Sequence, residues 1–361
     1  MTPFVKHKRH NNKQHKPNVN NYIVMDENAL FYECGFSCDN ALFLKLGDEA
    51  FFITDGRYTT EASSLISNAQ VLEGDRGDLL KTARLLMRKS KIKTVAYNPL
   101  EWNVERFAKL CEKLSITFQK RPNFSQQKRI IKSEAELNKL QRAAQFGKEA
   151  FDAFAKHLSA LGEGVDEKRA FFEAEMILKR QGSLGLSFEP IVAFDANAAK
   201  PHALPTDSTL QKGSLVLMDA GVKYERYCSD RTRTAFFDGT LRFEKEQHFS
   251  DTQRQKVYDT VLKAQEMALK AVKVGVKASA IDKAAREVIE KAGYGRYFVH
   301  STGHGVGLDI HELPVISARS QAIIEENMVF TIEPGIYLPN AFGVRIEDTI
   351  IVRSHGAEIM G

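Results

Sequence analysis

Apolar positions along the chain recur at two different periods, and the places where the period changes divide it. Between about residues 21 and 118, short apolar runs alternate with helically spaced ones. The runs Ala41–Leu46 and 50–54 flank Gly47-Asp48, the pattern of two strands joined by a tight hairpin. Residues 79–87 and 104–114 carry apolar side chains at the 3.6-residue spacing of helices, and Thr94–Tyr97 between them reads as a strand. These elements predict a small α/β domain over residues 21–122. The polar, aperiodic stretch 123–132 (NFSQQKRIIK) follows as a linker. Ser133 with Glu136 then forms a capping-box signature ahead of helical periodicity that runs to Leu161. A second domain is expected over residues 133–361, and the overall class is α/β (α+β).

The second domain repeats its own plan. Gly164-Val165 opens a helix ending near Gly182, and about 110 residues later Gly275-Val276 opens another ending near Gly293. A histidine-bearing segment follows each, Lys200-Pro201-His202 in the first and residues 299–312 in the second. Each half closes on a strand pair, GSLVLMDAGV with CSDRTRT and ENMVFTIEPGI with VRIEDTI. In both, a carboxylate ends an apolar strand and glycine stands two residues on: Asp219 with Gly221, Glu333 with Gly335. This layout predicts a duplicated unit about a pseudo-twofold axis that brings equivalent hairpins face to face.

Such an axis gathers acids. Strand periodicity puts Leu215, Leu217 and Asp219 on one face, and Cys228, Asp230 and Thr232 on one face of the returning strand. In the second half it pairs Thr331 with Glu333, and Arg345 with Glu347 and Thr349. Four carboxylates buried in adjacent apolar strands cost several kcal/mol each unless cations neutralise them. Divalent metal is the expected partner, and the bland alternative is surface ion pairing, for which Arg231 and Arg233 are near in sequence. STGHGVGLDIHELP supplies an imidazole, His304, between Gly303 and Gly305, whose missing side chains would leave room for close approach of metal or substrate. His300 and His311 lie in the same segment and His202 in the matching one. Oxygen ligands joined by imidazole favour Mn, Fe, Co or Zn.

Composition narrows the setting. A chain of 361 residues with 43% hydrophobic and 27% charged residues is an ordinary globular protein of about two domains, not a collagen-like, disordered or disulfide-framework one. The net charge of +5 invites a nucleic-acid or membrane-surface reading, but residues 1–20 carry Lys6, Lys8, Arg9, Lys13 and Lys16 without an acid. The remainder is balanced, so a basic flexible tail over 1–20 is expected, with no specific nucleic-acid partner. Its His7, His10 and His15 would only catch stray metal. Four scattered cysteines and no apolar stretch of transmembrane length point to a cytoplasmic protein without a membrane partner.

The segments MDAG (218–221), CSDRTRT (228–234), TGHGVGLDIHE (302–312), TIEPGIY (331–337) and VRIEDT (344–349) stand in order, with SFEPIVAF and AKPHA upstream. Together they resemble the pita-bread metallopeptidase family, in its Xaa-Pro aminopeptidase (aminopeptidase P) and prolidase branch. The front half resembles that family's N-terminal domain more loosely, through YECGFSCDNALFL and ITDGRY. The resemblance implies a small creatinase-like α/β domain followed by a duplicated pita-bread catalytic domain with pseudo-twofold symmetry, working as a homodimer on proline-containing peptides.

Carried over position by position, the resemblance makes Asp219, Asp230, His304, Glu333 and Glu347 the ligands of two divalent ions per chain. Manganese is the first expectation, with cobalt, zinc or iron as alternatives. Asp230 and Glu347 would bridge, Asp219 would complete one site, and His304 and Glu333 the other. A water or hydroxide between the ions would attack the Xaa-Pro bond with Glu333 as general base. His202 and His311 would assist the tetrahedral intermediate or its proton transfers, and His300 would line the substrate side. Arg345 would hold a polar or anionic substrate group, while Arg231, where the family usually has an apolar residue, would point away from the metals. Methionine aminopeptidase shares the core, but the front domain and Arg345 argue against it. A pita-bread binding module or a metal-free creatinase-type hydrolase normally loses ligands, and here all five positions keep the required residue types.

Overall fold

The computed structural model describes residues 19–361, so most of the basic tail expected over 1–20 lies outside the described residues. The chain divides into two units, one ending at Arg129 and the other beginning at Ile130.

The first unit runs β1 (Asn21–Val24), α1 (Glu27–Cys34), β2 (Ala41–Leu46), β3 (Glu49–Thr54), α2 (Thr59–Leu65), β4 (Gln70–Glu73), α3 (Leu79–Lys89), β5 (Thr94–Tyr97), α4 (Val104–Cys111), β6 (Thr117–Lys120) and α5 (Phe124–Lys128). Its strands form one sheet in the order β4-β3-β2-β1-β5-β6. Alternation along the strands divides the core. Tyr22, Val24, Phe43 and Phe52 pack with α1 on one face, while Ile23, Leu42, Leu44, Ile53 and Val95 pack with α3 on the other. The hairpin between β2 and β3 turns on Gly47 at φ 62°, a left-handed conformation that glycine adopts without strain. The stretch read as a linker contains α5, anchored by buried Phe124. One aromatic in five residues is too little pattern to show a period.

The second unit opens with α6 (Glu134–Leu161), capped by the reciprocal Ser133 and Glu136 bonds, and α7 (Glu167–Leu178). Strands β7 (Gly185–Leu186), β8 (Ile191–Phe194), β9 (Leu215–Ala220), β10 (Val222–Tyr224), β11 (Tyr227–Cys228) and β12 (Arg231–Phe236) complete the first half. The second half carries α8 (Thr252–Ala271), α9 (Ala278–Lys291), β13 (Gly303–Gly305), β14 (Glu312–Ile316), β15 (Val329–Ile332), β16 (Gly335–Leu338), β17 (Phe342–Arg345), β18 (Asp348–Arg353) and β19 (Gly356–Ile359). The main sheets are β12-β9-β8 and β14-β13-β15-β18-β19. No helix among the described residues is long and apolar enough to cross a membrane.

The halves use their strand faces alike. Val216, Met218 and Ala220 of β9 pack with α6 and α7, which turns Leu215, Leu217 and Asp219 to the opposite face. Phe330 and Ile332 of β15 pack with α8 and α9, which turns Thr331 and Glu333 away from those helices. The matching ladders β9/β12 and β15/β18 set Asp219 opposite Thr232 and Thr331 opposite Thr349.

One expectation is corrected. Cys228, Asp230 and Thr232 do not lie along one strand, because β11 ends at Cys228 and β12 begins at Arg231. The chain breaks there so that the Gly221 backbone can pass Ser229: a Cβ on Gly221 would lie 1.8 Å from the Ser229 carbonyl oxygen. Cys228 faces the 307–308 backbone, its Sγ 3.6 Å from the Leu308 carbonyl oxygen. Arg345, Glu347 and Thr349 are likewise split, with Glu347 between β17 and β18.

Candidate metal centre

Strand ends bring the acids together. Asp230 precedes β12, Glu347 precedes β18, Glu333 follows β15, and Asp219 is the penultimate residue of β9. The halves are stitched at this point by backbone and hydroxyl bonds. Glu347 N donates to the Thr232 carbonyl at 3.0 Å, and the Thr349 hydroxyl donates to the Asp230 carbonyl at 2.9 Å. His304, on β13, has Nε2 at 3.5 Å from Asp230 Oδ2 and 3.4 Å from Glu333 Oε1. Asp230, His304 and Glu347 offer ligand atoms that all lie within 4.8 Å of one another.

The electrostatics are those of acids short of cations. Burial, with Glu347, Asp219 and Glu333 close by, raises the Asp230 carboxyl well above its ordinary range. Burial likewise raises Glu347, and lifts Glu333 to about 7. Their near neighbours are hydroxyls and imidazoles rather than paired cations. Thr232 donates to Glu347 Oε2 at 2.6 Å and Thr331 to Glu333 Oε1 at 3.2 Å. Burial also lowers the His304 pKa and so favours its neutral form. Its Nδ1 lies 3.1 Å from the Gly305 carbonyl, which only accepts, so Nδ1 carries the proton and Nε2 turns a lone pair to the carboxylates.

Asp219 differs. Its Oδ2 accepts from Arg345 Nη2 at 2.7 Å, while its buried Oδ1 has no hydrogen-bond partner. Arg345 is held from three more sides, donating to Thr232 Oγ1 at 3.0 Å, the Pro201 carbonyl at 3.3 Å and the Tyr337 hydroxyl at 2.7 Å. Read from sequence as a substrate holder, it spends these donors on protein groups. Tyr337 continues the chain to His300 Nε2 at 2.8 Å. The His300 Nδ1 faces the Ser301 carbonyl at 2.8 Å, so Nδ1 donates and Nε2 accepts from the tyrosine. Burial, with Arg345 and Arg286 nearby, pushes His300 down to about 4.

His311 stacks edge-on against His304 with ring centroids 4.4 Å apart, and burial lowers its pKa as well. His202 is exposed on the loop after β8, close enough for its charge to act on His300, His311 and Glu333. The glycines flanking His304 serve packing rather than ligand access. A Cβ on Gly303 would lie 1.9 Å from the Thr331 carbonyl oxygen, and one on Gly305 would lie 2.2 Å from that of Leu313. Sequence reasoning did not single out Tyr337, although TIEPGIY ends on it. It also passed over Asp282 of α9, which accepts from Thr302 at 2.8 Å and from Arg286 twice at 2.9 Å.

These residues fit a divalent cation on their own chemistry. Orphaned Asp219 Oδ1, the His304 Nε2 lone pair and three carboxylates whose ionisation burial opposes form a set of acceptors short of donors.

Comparison with known proteins follows the same lines. The family described as metallopeptidase family M24 matches residues 138–354, and the creatinase/prolidase N-terminal domain matches residues 7–132. An uncharacterized peptidase, YqhT, of Bacillus subtilis (strain 168) is 34% identical over 339 residues, covering 94% of this chain and 92% of that protein. An Xaa-Pro dipeptidase from Bacillus anthracis superposes with a TM-score of 0.86 at 31% identity, over 94% of this chain and 92% of that one. An X-Pro aminopeptidase from Thermotoga maritima MSB8 gives 0.82 at 32% identity over 95% of each chain.

Proposed function

The chain belongs to metallopeptidase family M24, and from that premise we propose that it is a two-metal exopeptidase cleaving the Xaa-Pro bond at the amino end of peptides or in Xaa-Pro dipeptides. The observation that carries the reading is the acceptor-only cluster of Asp219, Asp230, His304, Glu333 and Glu347. The Xaa-Pro dipeptidase and X-Pro aminopeptidase similar to this chain support the substrate class. Divalent ions held by these five side chains, manganese foremost, would polarise the scissile carbonyl and lower the pKa of the attacking water.

The chain's own groups do the rest. Glu333 accepts the proton of the attacking water at its carboxylate. An Xaa-Pro bond is a tertiary amide whose nitrogen has no hydrogen, so the leaving prolyl nitrogen must be protonated. His202 and His311 stand near Glu333 and His304 to hold the tetrahedral intermediate and return that proton. His300 lines the substrate side, fixed by Tyr337. Arg345 orients Asp219, and its substrate contact is narrowed to the N–H it does not spend on protein. A cytoplasmic homodimer remains part of this proposal.

The test uses the full chain, stripped of metal and reloaded with Mn, Co or Zn, against an Xaa-Pro dipeptide, an Xaa-Pro-Yaa tripeptide and a Met-Ala peptide. Metal-dependent release of the first residue from the Xaa-Pro substrates alone is expected, and the dipeptide-to-tripeptide ratio assigns the type. No turnover with metal bound, or undiminished turnover without it, overturns the reading.

A further inference from the structure

Glu167 opens α7, takes no part in the acid cluster and is fully buried. Its two oxygens accept four hydrogen bonds. Phe194 N donates to Oε1 at 2.6 Å, and Oε2 accepts from Asn197 Nδ2 at 2.8 Å, Thr206 N at 2.7 Å and Thr206 Oγ1 at 2.6 Å. Asn197 and Thr206 are the two ends of one loop, and Asn197 also donates to the Leu204 carbonyl at 2.9 Å. The crown of that loop carries Pro201, whose carbonyl accepts from Arg345, and the exposed His202.

A closed loop loses entropy that something must offset, and a single acceptor-only group binding both ends does so without using any side chain of the crown. Four donors converge on the two oxygens, three on Oε2 and one on Oε1, a demand on an acceptor-only group that no amide meets, because an amide sets an NH2 where one of the oxygens stands. We propose that Glu167 is a positioning residue: it closes the 197–206 loop and thereby holds His202 at the metal centre. The inference rests on the reading above, in which His202 acts on the reacting groups. Asp282 is a counterpart in the other half, gripping Thr302 directly while Arg286 donates to the His300 carbonyl at 3.0 Å.

Glu167→Gln presents one carbonyl oxygen and one NH2, so at least one of the Phe194, Asn197 and Thr206 donors meets another donor. In the metal-loaded enzyme, kcat on an Xaa-Pro tripeptide is expected to fall about 10–100-fold with metal stoichiometry and KM unchanged. The double variant Glu167→Gln/His202→Ala should be no slower than His202→Ala, because both act through one group. Backbone amides of 194–206 should exchange hydrogen faster than in the wild type, and those of 298–305 at the wild-type rate. Thr206→Val, which removes one of the four bonds to Glu167 together with the hydroxyl's contacts to Ser208, gives a smaller loss in the same cycle if Glu167→Gln does not fold. Losses that multiply in the double variant, or unchanged exchange over 194–206, overturn the proposal. A wild type inactive on Xaa-Pro peptides would sink the functional reading instead, and the exchange experiment would still decide the loop closure.

Discussion

In the first half of the metallopeptidase unit the acid at the end of the central strand, Asp219, meets a guanidinium; its counterpart in the second half, Glu333, meets an imidazole nitrogen and a threonine hydroxyl. The guanidinium belongs to Arg345, so Asp219 is neutralised from the second half, whereas the first half's Arg233 pairs with Asp348 and leaves Glu333 and Glu347 without a cation of their own. A shared layout thus fixes where the acids sit, while the charges that complete them are not duplicated. Asp230, Glu333 and Glu347 are left with raised pKa values, and that imbalance gives the site its appetite for a divalent ion.

Asp230→Asn breaks this comparison most severely, because Asp230 is the first-half acid that faces His304 of the second. Turnover should drop beyond the roughly 10–100-fold that outer-shell substitutions cost, together with loss of bound metal. Metal analysis and Xaa-Pro hydrolysis on the same sample check it, and activity within tenfold of wild type would show that the halves do not share a metal through this residue.

The same imbalance fixes a pH dependence. Glu333 titrates near 7 when folded against an ordinary 4.5, so between those values the metal-free folded chain holds a proton that the unfolded chain has lost. Its contribution to stability is therefore present at low pH and lost as pH rises through about 7. Metal must displace that proton, so affinity should rise with pH, up to about tenfold per unit for each proton released. Calorimetric titration of Mn in buffers of different ionisation enthalpy counts the protons. Affinity that is flat between about pH 6 and pH 8 would mean that the acids are ionised before metal arrives.

What the sequence makes legible follows from the range of each interaction. The hairpin at Gly47, the strand Thr94–Tyr97 and the Ser133 capping box depend on neighbours within a few residues, and all three stand in the structure. The acids are legible because strand period and repeat layout constrain them from two directions. Tyr337, Arg286 and Asp282 escape because each bonds a residue of another element, Arg345, His300 and Thr302, at a separation that no helix or strand period marks. β13 is hidden for another reason. Gly-His-Gly is a poor strand sequence, and it forms one only because its glycines let β14 and β15 close in on both sides.

The histidine-bearing segments sharpen the contrast at smaller cost. Glu167 binds its loop through neutral donors, whereas Asp282 binds through Arg286 as well as Thr302. Asp282→Asn keeps one acceptor and strands part of the Arg286 fork, so it should cost about 2 kcal/mol of stability, the scale of a charge-assisted hydrogen bond. Urea unfolding with wild-type slope measures it. Less than about 0.5 kcal/mol would make the α9 anchor ornamental.

The smallest effect separates the residues that follow Asp230 and Glu347. In the second half this is Asp348, buried but supplied by Arg233, Lys245 and by Gln265 at 2.9 Å. Burial pushes its pKa up, yet the two cations hold it below the ordinary value. In the first half it is Arg231, whose guanidinium lies 5.8 Å from the Phe151 ring centre and whose buried Nε has no hydrogen-bond partner. Burial and nearby Arg233 push it down to about 10. Removing this charge forfeits a cation–π contact of about 0.5–1 kcal/mol and relieves an unsatisfied donor costing about 1–3 kcal/mol. Arg231→Met should therefore stabilise the protein by about 1 kcal/mol and leave Xaa-Pro turnover unchanged, because the side chain points to the α6 side and away from the acids. A loss of stability would mean that Arg231 has a charge partner in solution and that both halves, not one, balance the residue behind the acid.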